Sequence, residues 1–271
     1  MKQDIKELGV TTILQKKEKE MLEDLKILFE KYDIPFFLAC GTALGCIRHK
    51  GFIPWDDDVD IYIRGEDYSR VREVFETQDT GNLEFQDYIT VLGYPYSFPK
   101  IVARDTILKE DSLKHLNYSC GVYIDVFPLM SVPNDFKARK QVEKKRYYYY
   151  CLLKAYYFKF SGIKRILNII AHLLVNSQKV QEKLYKQYTS KVKDAEYLID
   201  TGTFGSQALI KTKNFETTIS KKFEELEMPM PCGYDSYLKG YYGDYMQLPP
   251  EGQRISRHPL CELVINGEKV I

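Results

Sequence analysis

The chain has 271 residues, 44% of them hydrophobic, and carries 39 Lys and Arg against 38 Asp and Glu. That supplies a real core, in one large domain or a core with a smaller appendage, and it excludes a disordered chain and a globally basic nucleic-acid binder. Six scattered cysteines (Cys40, Cys46, Cys120, Cys151, Cys232 and Cys261) never approach the CxxC spacing of a zinc or redox site.

The first residues, MKQDIKELGV, lack the apolar stretch of a secretory signal. The longest strongly apolar run, Ile166 to Val175, is broken by Asn168 and His172 and is far shorter than the ~20 residues that cross a bilayer. The expectation is a cytoplasmic protein, soluble or in peripheral contact with the inner membrane face.

Residues from about Thr11 to Tyr32 place Ile13, Leu14, Met21, Leu22, Leu25, Leu28 and Phe29 near helical spacing, which predicts an amphipathic helix. After a break at Asp33 to Pro35, Phe36 to Cys40 reads as a short buried strand. GTALGCIRHK, Gly41 to Lys50, reads as a turn feeding a short helix. Backbone N–H groups at such a helix start hold phosphate oxygens, and Thr42 adds a hydroxyl; an ordinary strand-to-helix connection reads the same way. Arg48, His49 and Lys50 either balance nearby charge or bind substrate phosphates, Arg48 being best suited through its bidentate fork.

The most informative stretch is FIPWDDDVDIYI, Phe52 to Ile63, with Asp56, Asp57, Asp58 and Asp60 in five positions. If Val59 to Ile63 is a strand, Val59, Ile61 and Ile63 face a core while Asp58, Asp60 and Tyr62 share the other face. Neighbouring carboxylates repel unless a cation lies between them, and carboxylate oxygens select Mg²⁺ or Mn²⁺ before zinc. The plain alternative is a solvated acidic loop. An EF-hand loop is excluded, because Ile61 and Asp67 stand where its Gly and Glu are needed. Trp55 reads equally as a packing anchor for this loop.

Glu66 to Gln78 reads as a helix, and Leu83 to Leu92 and Ser97 to Ala103 as strands, with Lys100 in the second and Arg104 just beyond it. In CGVYIDVFPL, Cys120 to Leu129, Asp125 is the lone charge of an alternating apolar strand, so it requires a fixed base, a buried salt bridge or a metal. From Asn134, taken as a helix cap, three helices follow, ending near Phe158, Val175 and Val192. Lys137, Arg139, Lys140, Lys144, Lys145 and Arg146 form either a solvated face or a basic stripe for an anionic membrane or acidic polymer. Tyr147 to Tyr150, Tyr156 and Tyr157 read as core or half-buried packing, with stacking on a quaternary ammonium group as the alternative. Tyr197 to Thr201 reads as a late strand, and Asp235 to Tyr241 as a helix start before an extended loop.

A Gly-Thr turn after a strand, an Asp-x-Asp strand and a third Asp on a later strand suit phosphoryl or nucleotidyl chemistry, while the P-loop and protein-kinase motifs are absent. GTALGCIRHKGFIPWDDDVDI, GVYIDVFPL and YDSYLKGYYGDYMQLPPE with its following Arg-x-x-Arg-His resemble the LicD family, a branch of the nucleotidyltransferase superfamily that includes fukutin-related proteins. The resemblance runs from about Phe36 to His258. It implies an α/β fold: a nucleotidyltransferase-like core with a small mixed sheet, residues 11–130, and a largely helical C-terminal part, residues 131–271.

It further implies transfer of phosphocholine, or a related phospho-alcohol, from a CDP-activated donor (CDP-choline first) to a hydroxyl of a cell-surface glycan, lipid-linked glycan or teichoic-acid precursor. Asp58, Asp60 and Asp125 would be catalytic: Asp58 and Asp60 would hold Mg²⁺ or Mn²⁺, and Asp125 would complete the metal shell or act as general base on the attacking sugar hydroxyl. Gly41, Thr42, Arg48, His49, Lys50, Lys100 and His258 would bind substrate and phosphates. Two alternatives are a true nucleotidyltransferase that releases pyrophosphate from a nucleoside triphosphate, and a non-catalytic phospho-glycan binder.

Overall fold

The computed structural model describes residues 2–256 and 258–271, the side chains of residues 2–8 excepted. Arg257, in the Arg-x-x-Arg-His motif, lies outside the described residues. The architecture is mixed α/β, a curled mixed sheet with helices around it, as the sequence leads one to expect.

The sheet is built on β6 (Tyr123–Val132), buried along nearly all its length. β2 (Val59–Arg64) runs parallel to it on one side, with β1 (Phe36–Leu38) antiparallel beyond. On the other side β4 (Lys100–Ala103) pairs with the first residues of β6, and β3 (Leu83–Gln86) pairs with β4. β7 (Tyr197–Asp200) takes over further along β6, from Leu129 to Val132, and carries β8 (Leu209–Lys211). Val126 donates its N–H to Pro99 O on the β4 side. Pro128, two residues on, therefore turns its missing N–H to the same side, at the gap where β4 has ended and β7 has not begun.

Both faces of β2 are covered, which is why Tyr62 is as buried as Ile61 and Ile63. Helix α1 (Lys2–Lys31), interrupted at Gly9 (φ 71), buries Leu14, Met21, Leu22, Leu25 and Phe29 in this core. Helix α2 (Cys40–Arg48) follows β1 directly, so Gly41 and Thr42 lie in its first turn. Helix α3 (Tyr68–Thr77) follows β2, and β5 (Thr106–Glu110) follows β4. Helices α4 (Phe136–Tyr157), α5 (Arg165–Leu174) and α6 (Ser177–Tyr188) follow β6. The hairpin β9 (Thr218–Phe223) and β10 (Leu226–Pro231), helix α7 (Tyr234–Tyr242), and β11 (Leu260–Ile265), which pairs β5 and β12 (Glu268–Lys269), complete the order.

Several expectations change. The strand begun at Leu83 stops at Gln86, because the Asp87 carboxylate accepts the N–H groups of Ile89 and Thr90 and turns the chain. Asp87 also pairs with Arg72 at 2.5 Å. The cap of α4 is Asp135, which accepts Ala138 N–H, while Asn134 bridges to Asp194 and Glu196. The basic stripe is broken, since Arg139 and Arg146 turn inward to backbone carbonyls, Arg146 to Thr201 O and Thr203 O. Tyr147 and Tyr148 are exposed, whereas Tyr149 and Tyr157 are buried.

Candidate active site

Register assembles the site. Asp60 on β2 stands opposite Asp125 on β6, and Asp125 stands opposite Lys100 on β4, so the three occupy one line across adjacent strands. Asp58, two residues before Asp60, falls on the same face. One carboxylate oxygen from each of Asp58, Asp60 and Asp125 lies within 4.8 Å of the others.

The first turn of α2 fixes β2 from behind. Asp60 N–H donates to Thr42 Oγ1 at 2.9 Å, and Asp60 O accepts Ala39 N–H at 2.9 Å. A Cβ on Gly41 would come 2.5 Å from Asp56 Oδ2, so the missing side chain lets the acidic loop pack against the helix start. From α1, Gln15 Nε2 donates to Ile53 O and Asp56 O at 3.1 and 2.8 Å.

The electrostatics follow from burial. Burial and the charges of Asp58 and Asp125 hold the Asp60 carboxyl well above the usual carboxylate range. Burial also raises Asp58, to about 6, with Asp125 and Asp57 adding to it and His258 opposing. Asp125 is pushed up by burial against the opposing effect of Lys100, whose ammonium lies 2.5 Å from Asp125 Oδ1. Lys100 is 1% exposed and sits over the rings of Tyr123 and Tyr96, 3.2 and 4.2 Å from their centroids. It is a buried counter-charge to Asp125.

His258 comes in from the C-terminal segment. Its Nδ1 lies 3.1 Å from Asp57 Oδ1 and 3.8 Å from Asp58 Oδ2, and Ser256 and the His258 N–H both donate to Asp57 Oδ2. The Asp57 hydrogen bond raises the imidazole to about 9 although burial opposes it. Asp57, which burial pushes up, is held below its usual range by these bonds.

The structure thus brings Asp58, Asp60, Asp125, Lys100 and His258 together, with Gly41 and Thr42 behind them. Arg48 and His49 form a separate rim at the far end of α2. Arg48 Nη1 donates to the carbonyls of Tyr245 and Gln247 at 3.1 Å, His49 meets the edge of Trp55, and Arg254 lies over the Trp55 ring. Lys50 is exposed, and its carbonyl accepts Glu224 N–H.

Two residues escaped the sequence reading. Asp57 was visible in the acidic run, but its partners Ser256 and His258 lie about 200 residues away. Glu18 is 2% exposed, and its Oε2 lacks a hydrogen-bond partner among the described residues. Burial, then the charges of Asp58 and Asp56, raise it well above the usual range. The available signal was a charge between Leu14 and Leu22 at i+4 spacing on the buried stripe of α1.

Three carboxylates closing on one point, all raised by burial and Asp58 and Asp60 also by their neighbours' charges, form a donor set for a hard divalent cation. Nothing in the donor set favours zinc, since Asp58, Asp60 and Asp125 offer only oxygen.

Residues 33–164 match the LicD/FKTN/FKRP nucleotidyltransferase domain. The chain is 32% identical over 258 aligned residues to the lipopolysaccharide cholinephosphotransferase LicD of Haemophilus influenzae, covering 88% of this chain and 92% of that protein. Shorter similarity, 38% over 56 residues, links it to the ribitol-5-phosphate transferase FKTN of Mus musculus, covering 21% of this chain and 12% of that one. An uncharacterised protein of Rickettsia prowazekii matches at 38% over 55 residues, 20% of this chain and 21% of its own length. With the three-carboxylate line on β2 and β6 and likeness along most of its length, the chain belongs to the LicD family.

Proposed function

We propose that this protein transfers phosphocholine, or a related phospho-alcohol, from a CDP-activated donor to a hydroxyl of a cell-surface glycan such as lipopolysaccharide. The observation that carries the reading is the Asp58–Asp60–Asp125 cluster, in a chain similar over most of its length to a lipopolysaccharide cholinephosphotransferase.

Asp58, Asp60 and Asp125 would hold Mg²⁺ or Mn²⁺; when bound, the cation neutralises diphosphate charge and polarises the phosphoryl oxygens. Lys100 opposes the rise that burial imposes on Asp125 and orients its carboxylate inside the aromatic surround. Asp58 is half-buried where Asp60 and Asp125 are buried, and it takes the proton of the incoming hydroxyl. That hydroxyl attacks the phosphorus bearing the alcohol, the bond to the bridging oxygen breaks, and CMP leaves. Arg48 and Lys50, with Arg254, supply positive charge for the donor phosphates and the departing CMP, while His49, whose imidazole is lowered by burial and the Arg48 charge, offers a neutral ring nitrogen as a hydrogen-bond partner there. Asp57 and His258 hold the C-terminal segment against Asp58.

The test is product release with Mg²⁺ and a mixed glycan pool, supplying CDP-choline, CDP-ribitol, CDP-glycerol and CTP separately. CMP from one CDP-alcohol, lost with chelator and in Asp60→Ala, is the expected result. Pyrophosphate from CTP would move the protein to nucleotidyl transfer, and equal CMP release by Asp60→Ala would remove the carboxylates from the chemistry.

A further inference from the structure

Helix α5 is built inside out. Its polar Asn168 points inward, donating to Ala155 O and Phe158 O at 2.7 Å and accepting Phe160 N–H at 3.0 Å. Ala171 is buried beside it, and His172 lies against the Tyr156 ring at 4.5 Å between centroids. The outward face carries Ile166, Leu167, Ile169, Ile170, Leu173 and Leu174, 46–80% exposed, and Ile163 just before the helix is 85% exposed. Across a groove of about 630 Å³ beyond Leu173 and Leu174, Ile89 and Leu92 extend the apolar surface, Leu92 at 95% exposed. A contiguous apolar face of this kind on a surface helix marks a docking site.

Charge selects the partner. From Lys144 to Gln181 the chain has eight Lys and Arg and no Asp or Glu, although its totals are balanced. Arg146 is buried and the other seven are exposed, Lys159, Lys164 and Arg165 standing at the start of α5. Clustered like charge beside an apolar face opposes pairing with a second copy of the same face and favours a surface that is apolar below and anionic above. Among the described residues no helix is long and apolar enough to cross a membrane, so the contact is interfacial.

We infer that α5 is a membrane-surface helix: its outward apolar face enters the headgroup region of an anionic phospholipid bilayer, while Lys159, Lys164 and Arg165 engage lipid phosphates. This would hold the protein at a membrane surface, where a lipid-linked acceptor would be presented. It stands independently of the transfer reaction, because every residue it uses lies outside the site.

The experiment is vesicle flotation of the full chain, with phosphatidylcholine alone and with about a third phosphatidylglycerol. Wild type is expected to float with the anionic vesicles and about tenfold less with the neutral ones. Leu173→Asp/Leu174→Asp and, separately, Lys164→Glu/Arg165→Glu should each reduce anionic-vesicle binding about tenfold, with unchanged melting. CMP release from soluble substrates should also be unchanged in both. Wild type that stays unbound in both vesicle types overturns the inference, as does anionic-vesicle binding by both variants at the wild-type level. A lipid-free dimer that Leu173→Asp/Leu174→Asp converts to monomer overturns it in favour of a second copy as the occupant.

Discussion

Asp60 has a backbone clamped by Ala39 and Thr42 and a side chain held among like charges. Without a cation the protein is strained by its own site, so Asp60→Asn should separate stability from function. The variant is expected to melt a few degrees above the metal-free wild type, on the order of 1 kcal/mol, to show none of the rise in melting temperature with Mg²⁺ that is expected of the wild type, and to release CMP about 10²–10³-fold more slowly. Calorimetry with and without chelator, beside the CMP assay, checks all three. Lys100→Met should act oppositely: it leaves Asp125 buried without its counter-charge and is expected to destabilise by about 3–5 kcal/mol, read from urea midpoints.

Asp58 makes the pH dependence explicit. Its carboxyl lies at about 6 when folded, against 3.8 ordinarily. Between those values the folded protein holds a proton the unfolded chain has lost, so the contribution is full at low pH and fades as pH rises through about 6. Cation binding requires the ionised form and has the opposite sign. The stabilisation expected from Mg²⁺ should therefore weaken below pH 6, measured as the melting difference between magnesium and chelator across pH 5–8.

At the scale of elements, β2 and α2 form one device. Thr42→Val leaves the Asp60 N–H without its acceptor and should cost about 1–3 kcal/mol while weakening Mg²⁺ binding, both measurable by melting titrations. The tail is a second device. His258 is raised to about 9 by Asp57, so its contribution is present below the ordinary histidine value and lost as pH rises through 9. In metal-free protein, amide exchange at Ser256 and His258 should quicken between pH 7 and 9 after correction for intrinsic rates, and His258→Asn should flatten that response.

What the sequence disclosed follows the range of the forces involved. β2 and β6 were legible because alternation and a stranded Asp are local signals, and α1, α4 and α6 were legible from spacing. β5 and β9 to β12 were not, because short half-exposed strands are specified by distant partners, as β5 is by β11. The six-cation stripe of α4 misled because Arg139 and Arg146 find carbonyls and rings that only the fold supplies. The acidic line across β2 and β6 was readable; its closure by Lys100, Glu18 and the tail needed three dimensions.

Over the whole molecule, one apolar cluster reaches from Leu14 to Val270, joining α1, the sheet, the hairpin β9–β10 and β11. A smaller cluster from Met130 to Ala208 ties α4 and α6 to the end of β6. Because β6 serves both, thermal unfolding should be a single transition, and saturating Mg²⁺ at about 100 times its Kd should shift it by about 2.7 kcal/mol. Two resolved transitions in calorimetry would show that the clusters unfold separately.

The span between Asp57 and His258, 201 residues along the chain, also bears on how the protein reaches this state. Ribosomal synthesis delivers the acidic run early and its imidazole late, and contacts of such separation form slowly. Wherever β2 and β6 pair before the tail docks, the carboxylates they hold in register repel one another without the imidazole beside them. A divalent cation present during refolding would neutralise them beforehand. Stopped-flow refolding should therefore be faster in magnesium than in chelator, and the cation would serve the nascent chain as a folding aid before it serves the enzyme.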